Sequence, residues 1–332
     1  MTKLDELMKC IHNDHVYIQM HNFPDQDAIA SARGLQYLLE SKGKVATIVY
    51  HGIIDKENTI MMINLLNIKL IPIEYIQFNT NDEIILVDGQ KGNINMHGLK
   101  GNVIACIDHH KKQNTDCYLY HDIQSNAGAC SSIIASYYKE NNIEIPVDIA
   151  TALVYGQRID TTFMTRNVSE IDIDMFYFLY KVANHSQLRR FDTSTMNVNN
   201  LENYQNAISN LRIYGYVGIS NVGNDCSEAM IGSISDFLLT LSEIEFTLLY
   251  SYRAGGLKFS IRCTWDTIDV SEIINHALEG YGEGGGHSDM AAGFIPQIAT
   301  EHEAMEIAKI IEQRVVELIN AQIKAEQMNM QI

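Results

Sequence analysis

The sequence predicts an α/β protein of two domains, the first organised on a parallel sheet and the second smaller. Length is the first reason, because 332 residues is more than one ordinary core organises. The second is a rhythm of strand, helix, strand through the first half, which argues for parallel strands joined by crossover helices. The third is a polar stretch, Ser186–Asn210, rich in Ser, Thr and Asn, between two patterned halves. The domains are therefore expected at residues 1–185 and 211–332, with 186–210 as a linker and connecting helix.

Residues 1–14 read as a helix, with Leu4, Leu7, Met8 and Ile11 at i, i+3, i+4 and i+7. Strand Val16–Met20 then delivers His21. A helix is expected from Asp27 to Ser41, ended by Gly43, and a second strand at Val45–Tyr50. Lys56–Asn67 reads as helical. Glu83–Val87 and Asn102–Ile107 are apolar without alternation, as strands buried on both faces are. Ala127–Asn141, Val147–Asp160 and Ser169–His185 read as helices. Beyond the linker, Tyr214–Ser220 is strand-like, and Phe246–Arg253 with Leu257–Arg262 flanks Ala254-Gly255-Gly256 as a hairpin. Val270–Leu278 is helical, a glycine run follows, and Thr300–Met328 closes the chain as a long helix with room for one break.

Composition narrows the function classes. The formal net charge of −17 lacks the basic stripe of a protein that binds long nucleic acid, which weighs against a processive nuclease. A small phosphorylated substrate stays open, because bound divalent cations can supply local positive charge. The six cysteines show no C-x-x-C pair and read as reduced, buried hydrophobes. No stretch is long and apolar enough to span a bilayer, and Met1–His15 carries charges throughout. A cytoplasmic protein with no membrane partner is the expectation.

The chemistry collects at element ends, where ligands bind in open α/β sheets. Asp108-His109-His110 follows the strand that ends at Ile107. His21-Asn22-Phe23-Pro24-Asp25-Gln26-Asp27 follows the first strand, and Val87-Asp88-Gly89 follows another. Asp160 ends a helix whose Ile149, Leu153, Gly156 and Asp160 share one face. A carboxylate on a core-facing stripe needs a partner, and a metal is a suitable one. Gly156 allows close backbone approach beside it. Taken singly, His21 or His109 is a satisfied loop histidine, and Lys111-Lys112 is a solvated pair.

Together these motifs resemble the DHH phosphoesterase superfamily, with its H-x-x-P-D-x-D, V-D, D-H-H and helix-borne Asp. Gly282-Glu283-Gly284-Gly285-Gly286-His287 and Ala291-Ala292-Gly293 resemble the G-G-G-H…A-A-G signature of the associated DHHA1 domain. The motifs stand in the family's order from residue 21 to 293, and size and layout are most similar to the NrnA-like oligoribonuclease and pAp phosphatase branch. The resemblance implies a DHH catalytic domain and a DHHA1 substrate-binding domain with a cleft between them. It implies two divalent cations: His21 and Asp25 on the first, Asp27, His109 and Asp160 on the second, and Asp88 bridging. This thiolate-free donor set suits manganese, with magnesium the weaker candidate. Asp108 is expected to orient an imidazole and His110 to face the substrate phosphate. Arg262, in the family-like Ser260-Ile261-Arg262, is expected to grip a terminal phosphate, helped by Gly284, Gly285, Gly286 and a His287 that starts a helix.

Four positions depart from the family pattern. Gln26 and Thr162 stand where the family usually has Gly, Cys263 where it has Ser, and Glu283 where another Gly is common. None removes an expected ligand; Glu283 beside a phosphate cradle is placed to repel an anion or to read a sugar or base. The activity implied is metal-dependent hydrolysis of phosphodiester bonds in very short RNA such as pApA, and of the 3′-phosphate of pAp. The partner expected is thus short RNA or a nucleotide, with no long nucleic acid. The oligomeric state stays open, a homodimer included. Alternatives are a pyrophosphatase or polyphosphatase, and a nucleotide-binding regulator without catalysis.

Overall fold

The computed structural model describes residues 1–93, 95–193, 196, 198–253, 255–265 and 267–329, with side chains described to residue 323. It divides into two compact units, Met1–Met196 and Asn197–Ile332.

The first unit opens with α1 (Lys3–Cys10) under a capping box formed by Thr2 and Asp5. Its sheet comprises β1 (His15–Gln19), β2 (Val45–Tyr50), β3 (Ile71–Pro72), β4 (Glu83–Val87), β5 (Asn102–Asp108) and β6 (Tyr120–Ile123). All pairs are parallel, in the order β3-β2-β1-β4-β5-β6. The chain lays down β1, β2 and β3 in one direction and then returns to place β4 on the other side of β1. That reversal opens a crevice at the carboxyl ends of β1 and β4. β4 shows why the apolar run does not alternate. Ile85 and Val87 join the helical core, while Ile84 and Leu86 pack on the other face with Cys106, Tyr118, Met96 and Leu99.

The helices are α2 (Gln26–Ser41), α3 (Glu57–Leu65), α4 (Cys130–Glu140), α5 (Val147–Asp160), α6 (Glu170–Tyr180) and α7 (His185–Thr193). α2 packs closely on α5, and Gly156 is the reason they can approach. A Cβ there would lie 2.7 Å from Ser131 Oγ, 2.9 Å from Asp27 Cα and 3.0 Å from the Gln26 carbonyl oxygen. The helix expected over Ser169–His185 ends at Tyr180 as α6, and α7 starts at His185, where Asn184 Oδ1 accepts from the backbone N–H of Ser186 and Gln187.

The second unit contains α8 (Leu201–Ser209), β7 (Arg212–Tyr214), β8 (Val217–Asn221), α9 (Glu228–Leu238), β9 (Phe246–Arg253), β10 (Gly256–Cys263), α10 (Val270–Leu278), β11 (Glu283–Gly286), β12 (Met290–Ile295) and α11 (Glu301–Asn329). Its sheet runs β11-β12-β10-β9-β8-β7, with β8 and β9 parallel and the other pairs antiparallel. Leu248 points to a core with α10 and α11, and Leu249 to one with α8 and α9. The single strand expected over Tyr214–Ser220 is a hairpin, turned at Gly215 with φ +62°. Of the expected β9–β10 turn, Ala254 lies outside the described residues; Gly255 takes φ +70°. α11 is unbroken. Among the described residues no helix is long and apolar enough to cross a membrane.

Candidate metal centre

Four loops and helix ends of the first unit converge beside the β1–β4 crevice. They bring donor atoms into three groups, each with its atoms within 4.8 Å of one another: His21, Asp25 and Asp88; Asp27, His109 and Asp160; and Asp88, His109 and His110. Asp88 and His109 each belong to two of the groups.

Each ligand is aimed by its local backbone. His21 Nδ1–H donates to the Asn22 carbonyl at 2.9 Å, which leaves Nε2 as the free donor atom. That atom lies 3.9 Å from Asp25 Oδ1 and 3.6 Å from Asp88 Oδ2. Asp25 is the N-cap of α2, and its Oδ1 accepts from the Asp27 and Ala28 N–H groups. Asp27 reaches across to the start of α4, where its carboxylate accepts from Cys130 N–H at 2.7 Å and Ser131 N–H at 2.9 Å. Asp88 follows β4 with φ +57°, a left-handed backbone that a non-glycine residue adopts at a cost. His109 sets Nδ1 against the Ala127 carbonyl at 3.3 Å, and its Nε2 lies 3.3 Å from Asp88 Oδ1 and 3.1 Å from Asp160 Oδ2.

Asp108 is fully buried. It accepts from His109 N–H at 2.9 Å, from His110 Nδ1–H at 2.8 Å and from Gln90 Nε2 at 2.6 Å. It therefore orients His110, whose ring is half-exposed and 4.4 Å from that of His109.

The electrostatics show what the cluster lacks. Burial opposes charge on Asp88, yet His109 and His21 hold its carboxyl well below the usual carboxylate range. Burial opposes protonation of His109 too, but Asp88, Asp27 and Asp160 push it up to about 11. Burial lifts Asp160 to about 6, and burial with the Asp88 charge lifts Asp27 well above its ordinary value. So many carboxylates in one buried place take up protons unless cations replace them. Asp88 Oδ1 is buried and has no well-aligned hydrogen bond, its contact with His109 Nε2 at 3.3 Å being an ion pair. An oxygen of this kind, with carboxylate and imidazole donors and no thiolate, fits hard or borderline divalent cations.

Some supports were not foreseen from the sequence. Gln90, buried, holds Asp108 and also accepts from Gln113 N–H at 2.9 Å. Asp172, also buried, accepts from Gly128 N–H and Ser132 Oγ, fixing the segment that presents Ala127 to His109. Gln90 stands two residues past Asp88, a signal of position without a signal of type. Asp172 reads locally as an ordinary capping-box acid of α6. Of the departures, Gln26 is buried and donates to Asn58 Oδ1, while Thr162 takes φ +46° where a glycine carries no penalty.

In the second unit, Glu228, Lys258, Ser260, Arg262, Glu283, Gly284 and Gly285 line a cavity of about 370 Å³. Arg262 Nε donates to Asp236 Oδ1 at 3.0 Å and Nη1 to the Ile261 carbonyl at 2.9 Å. Gly232 on α9 leaves room for it, since a Cβ there would lie 3.0 Å from Nη2. Two expectations need correction. The glycine run is an edge strand, with Gly284 opposite Gly293 and Gly286 opposite Ala291. Close packing demands glycine there, because a Cβ at Gly286 would sit 2.3 Å from the Met290 carbonyl oxygen. His287 does not start a helix; it is exposed in the β11–β12 turn, with its N–H donating to Met290 O at 2.7 Å. Gly286 and His287 are not among the residues lining the cavity.

An α/β protein with a carboxylate–imidazole cluster able to hold divalent cations at its topological switch point is the class so defined. Residues 15–157 match the DHH family, N-terminal domain, and residues 213–317 match the DHHA1 domain. The chain is thus a two-domain DHH/DHHA1 protein. An uncharacterized protein of Methanocaldococcus jannaschii is 31% identical over 310 residues, covering 91% of this chain and 63% of that one. A probable manganese-dependent inorganic pyrophosphatase of Enterococcus faecalis is 29% identical over 167 residues, 49% of this chain and 54% of that one. The chain therefore spans less than two thirds of either relative's length. An exopolyphosphatase-related protein from Bacteroides fragilis shares the fold, with a TM-score of 0.74 at 16% identity over 96% of this chain and 97% of that one.

Proposed function

We propose that this chain is a dimetal phosphoesterase that hydrolyses phosphodiester bonds of very short oligoribonucleotides, linear dinucleotides such as pApA among them, and the 3′-phosphate of pAp. One observation carries the reading: two donor groups, His21-Asp25-Asp88 and Asp27-His109-Asp160, stand side by side with Asp88 Oδ1 facing His109. His21 and Asp25 would hold one cation, Asp27, His109 and Asp160 the other, and Asp88 both, with manganese favoured over magnesium. Bound there, the cations supply Lewis acidity and lower the pKa of water near phosphorus. The chain's own residues do the rest. Asp108 fixes His110 through Nδ1 and favours its protonated form, so that Nε2–H is available to a phosphate oxygen. Arg262, braced by Asp236, keeps N–H donors for a phosphate group in the second unit's own cavity.

A length series tests the reading. With Mn²⁺ present, kcat/KM is expected to be highest for RNAs of two to about four nucleotides and to fall roughly tenfold by twenty, about 1.4 kcal/mol of transition-state binding. Arg262→Ala should flatten that preference. Equal or rising efficiency with length would restore the long-polymer exonuclease. Turnover of inorganic pyrophosphate alone would favour the pyrophosphatase reading that the Enterococcus faecalis relative suggests.

A further inference from the structure

Phe23 stands between His21 and Asp25 in a conformation that costs a phenylalanine twice. Its φ is +54°, the left-handed region that glycine or asparagine enters readily and a bulky residue avoids. Its side chain is also 63% exposed. The backbone geometry has a reason: the turn must bring both His21 and Asp25 towards Asp88. It is fixed from three sides. Phe23 N–H donates to the His51 carbonyl at 2.8 Å, Asn22 N–H to the Asn95 carbonyl at 2.6 Å, and His97 N–H to Asn22 Oδ1 at 2.9 Å. None of this requires a phenyl ring, and glycine would turn the chain without strain.

The ring itself is bedded. Cδ1, Cε1 and Cγ of Phe23 lie against Gly52, where a Cβ would come within 2.6 Å of the ring. Gly52 has φ +94° and so is fitted to glycine by its backbone as well. An aromatic ring rests on bare backbone and shows the rest of its surface to solvent. Its Cα lies within about 7.6 Å of the Cα atoms of both His21 and Asp25, because each is two peptide units away.

We propose that Phe23 is a positioning residue that stacks on the nucleobase next to the scissile phosphate and so selects nucleotides over base-less phosphates. This rests on the phosphoesterase reading above and deepens it by naming the part of the substrate that the first unit recognises. An aromatic platform of this kind is sequence-tolerant, since every base has a π-face. It offers nothing to pyrophosphate or polyphosphate.

The test is calorimetric titration of the full chain, with Mn²⁺, by adenosine 5′-monophosphate and by ribose 5-phosphate. The wild type is expected to bind the nucleotide about tenfold more tightly than the sugar phosphate, the scale of one exposed stacking contact. Phe23→Leu should close that gap and leave ribose 5-phosphate affinity unchanged, while Phe23→Tyr should keep it. In turnover of pApA, Phe23→Leu should raise KM with little change in kcat. Equal wild-type affinity for the two ligands overturns the proposal, as does a gap that survives in Phe23→Leu. A parallel loss of both ligands in Phe23→Leu also overturns it, because the ring then only shapes the loop carrying His21 and Asp25. Binding is read without catalysis, so a chain that stacks nucleotides but does not cleave pApA refutes the phosphoesterase reading and leaves the Phe23 result standing.

Discussion

Replacing Gln90 by Leu removes one hydrogen-bond donor from a fully buried carboxylate while nearly keeping side-chain volume. Asp108 then retains two of its three donors, His109 N–H and His110 Nδ1–H. A hydrogen bond to a charged group contributes about 1.5–3 kcal/mol. Gln90 also bonds the Lys111 carbonyl and Gln113 N–H, but residues 111–113 are exposed, and water can replace those bonds. The expected destabilisation is therefore about 2 kcal/mol. A unit of this size loses roughly 2–4 °C of Tm per kcal/mol, so the first unit should melt about 4–8 °C lower. The second consequence is catalytic. A looser Asp108 no longer fixes His110, and kcat on pApA should drop roughly tenfold, the low end for loss of an orienting partner. Differential scanning calorimetry and single-substrate kinetics read the two effects. A Tm within about 1 °C of wild type together with an unchanged kcat would show that Asp108 is held without Gln90, and the reasoning would fail.

Gly156→Ala should destabilise the first unit by about 0–2 kcal/mol. The overpacking against Ser131, Asp27 and Gln26 costs about 1–3 kcal/mol, and the gain in helix propensity offsets about 1; a rise in Tm would show that α2 and α5 separate freely. Of the thiols, Cys117 is exposed, whereas Cys106, Cys130, Cys226 and Cys263 are buried, with burial raising their pKa values. A disulfide-exchange reagent should thus modify Cys117 quickly in the native protein and those four only on unfolding, and fast modification of the Cys117→Ser variant at a buried position would contradict the packing.

The sheet was legible where burial is two-sided. β4 and the hairpin strand β9 fall on the apolar runs that announce them, and β5 extends its run by one residue, because unbroken Val, Ile and Leu leave no other economical placement. β3 and β6 were not legible: two residues in one case, and Tyr-His-Asp-Ile in the other, give no pattern to read. α9 was hidden because Gly232, Ser233 and Ser235 dilute its buried stripe of Ile231, Ile234 and Leu238. The candidate ligands were readable because each sits at the end of a patterned element. Their supports were not, because Gln90, Asp172 and Asp236 act across loops and carry no spacing rule. The glycine run illustrates the limit from the other side, since glycine marks close approach as readily as a loop, and only the pairing with β12 decides between them.

A pair of cations sharing Asp88 is tested by counting bound metal. Equilibrium dialysis against Mn²⁺ followed by elemental analysis should give two ions per wild-type chain. Asp88→Asn, confirmed as folded by calorimetry, should hold one or none, because a neutral amide cannot carry the shared charge, and its turnover of pApA should be lost. A wild type that binds a single ion, or a folded Asp88→Asn protein that keeps two ions and near-normal turnover, would rule out a cation pair that shares Asp88.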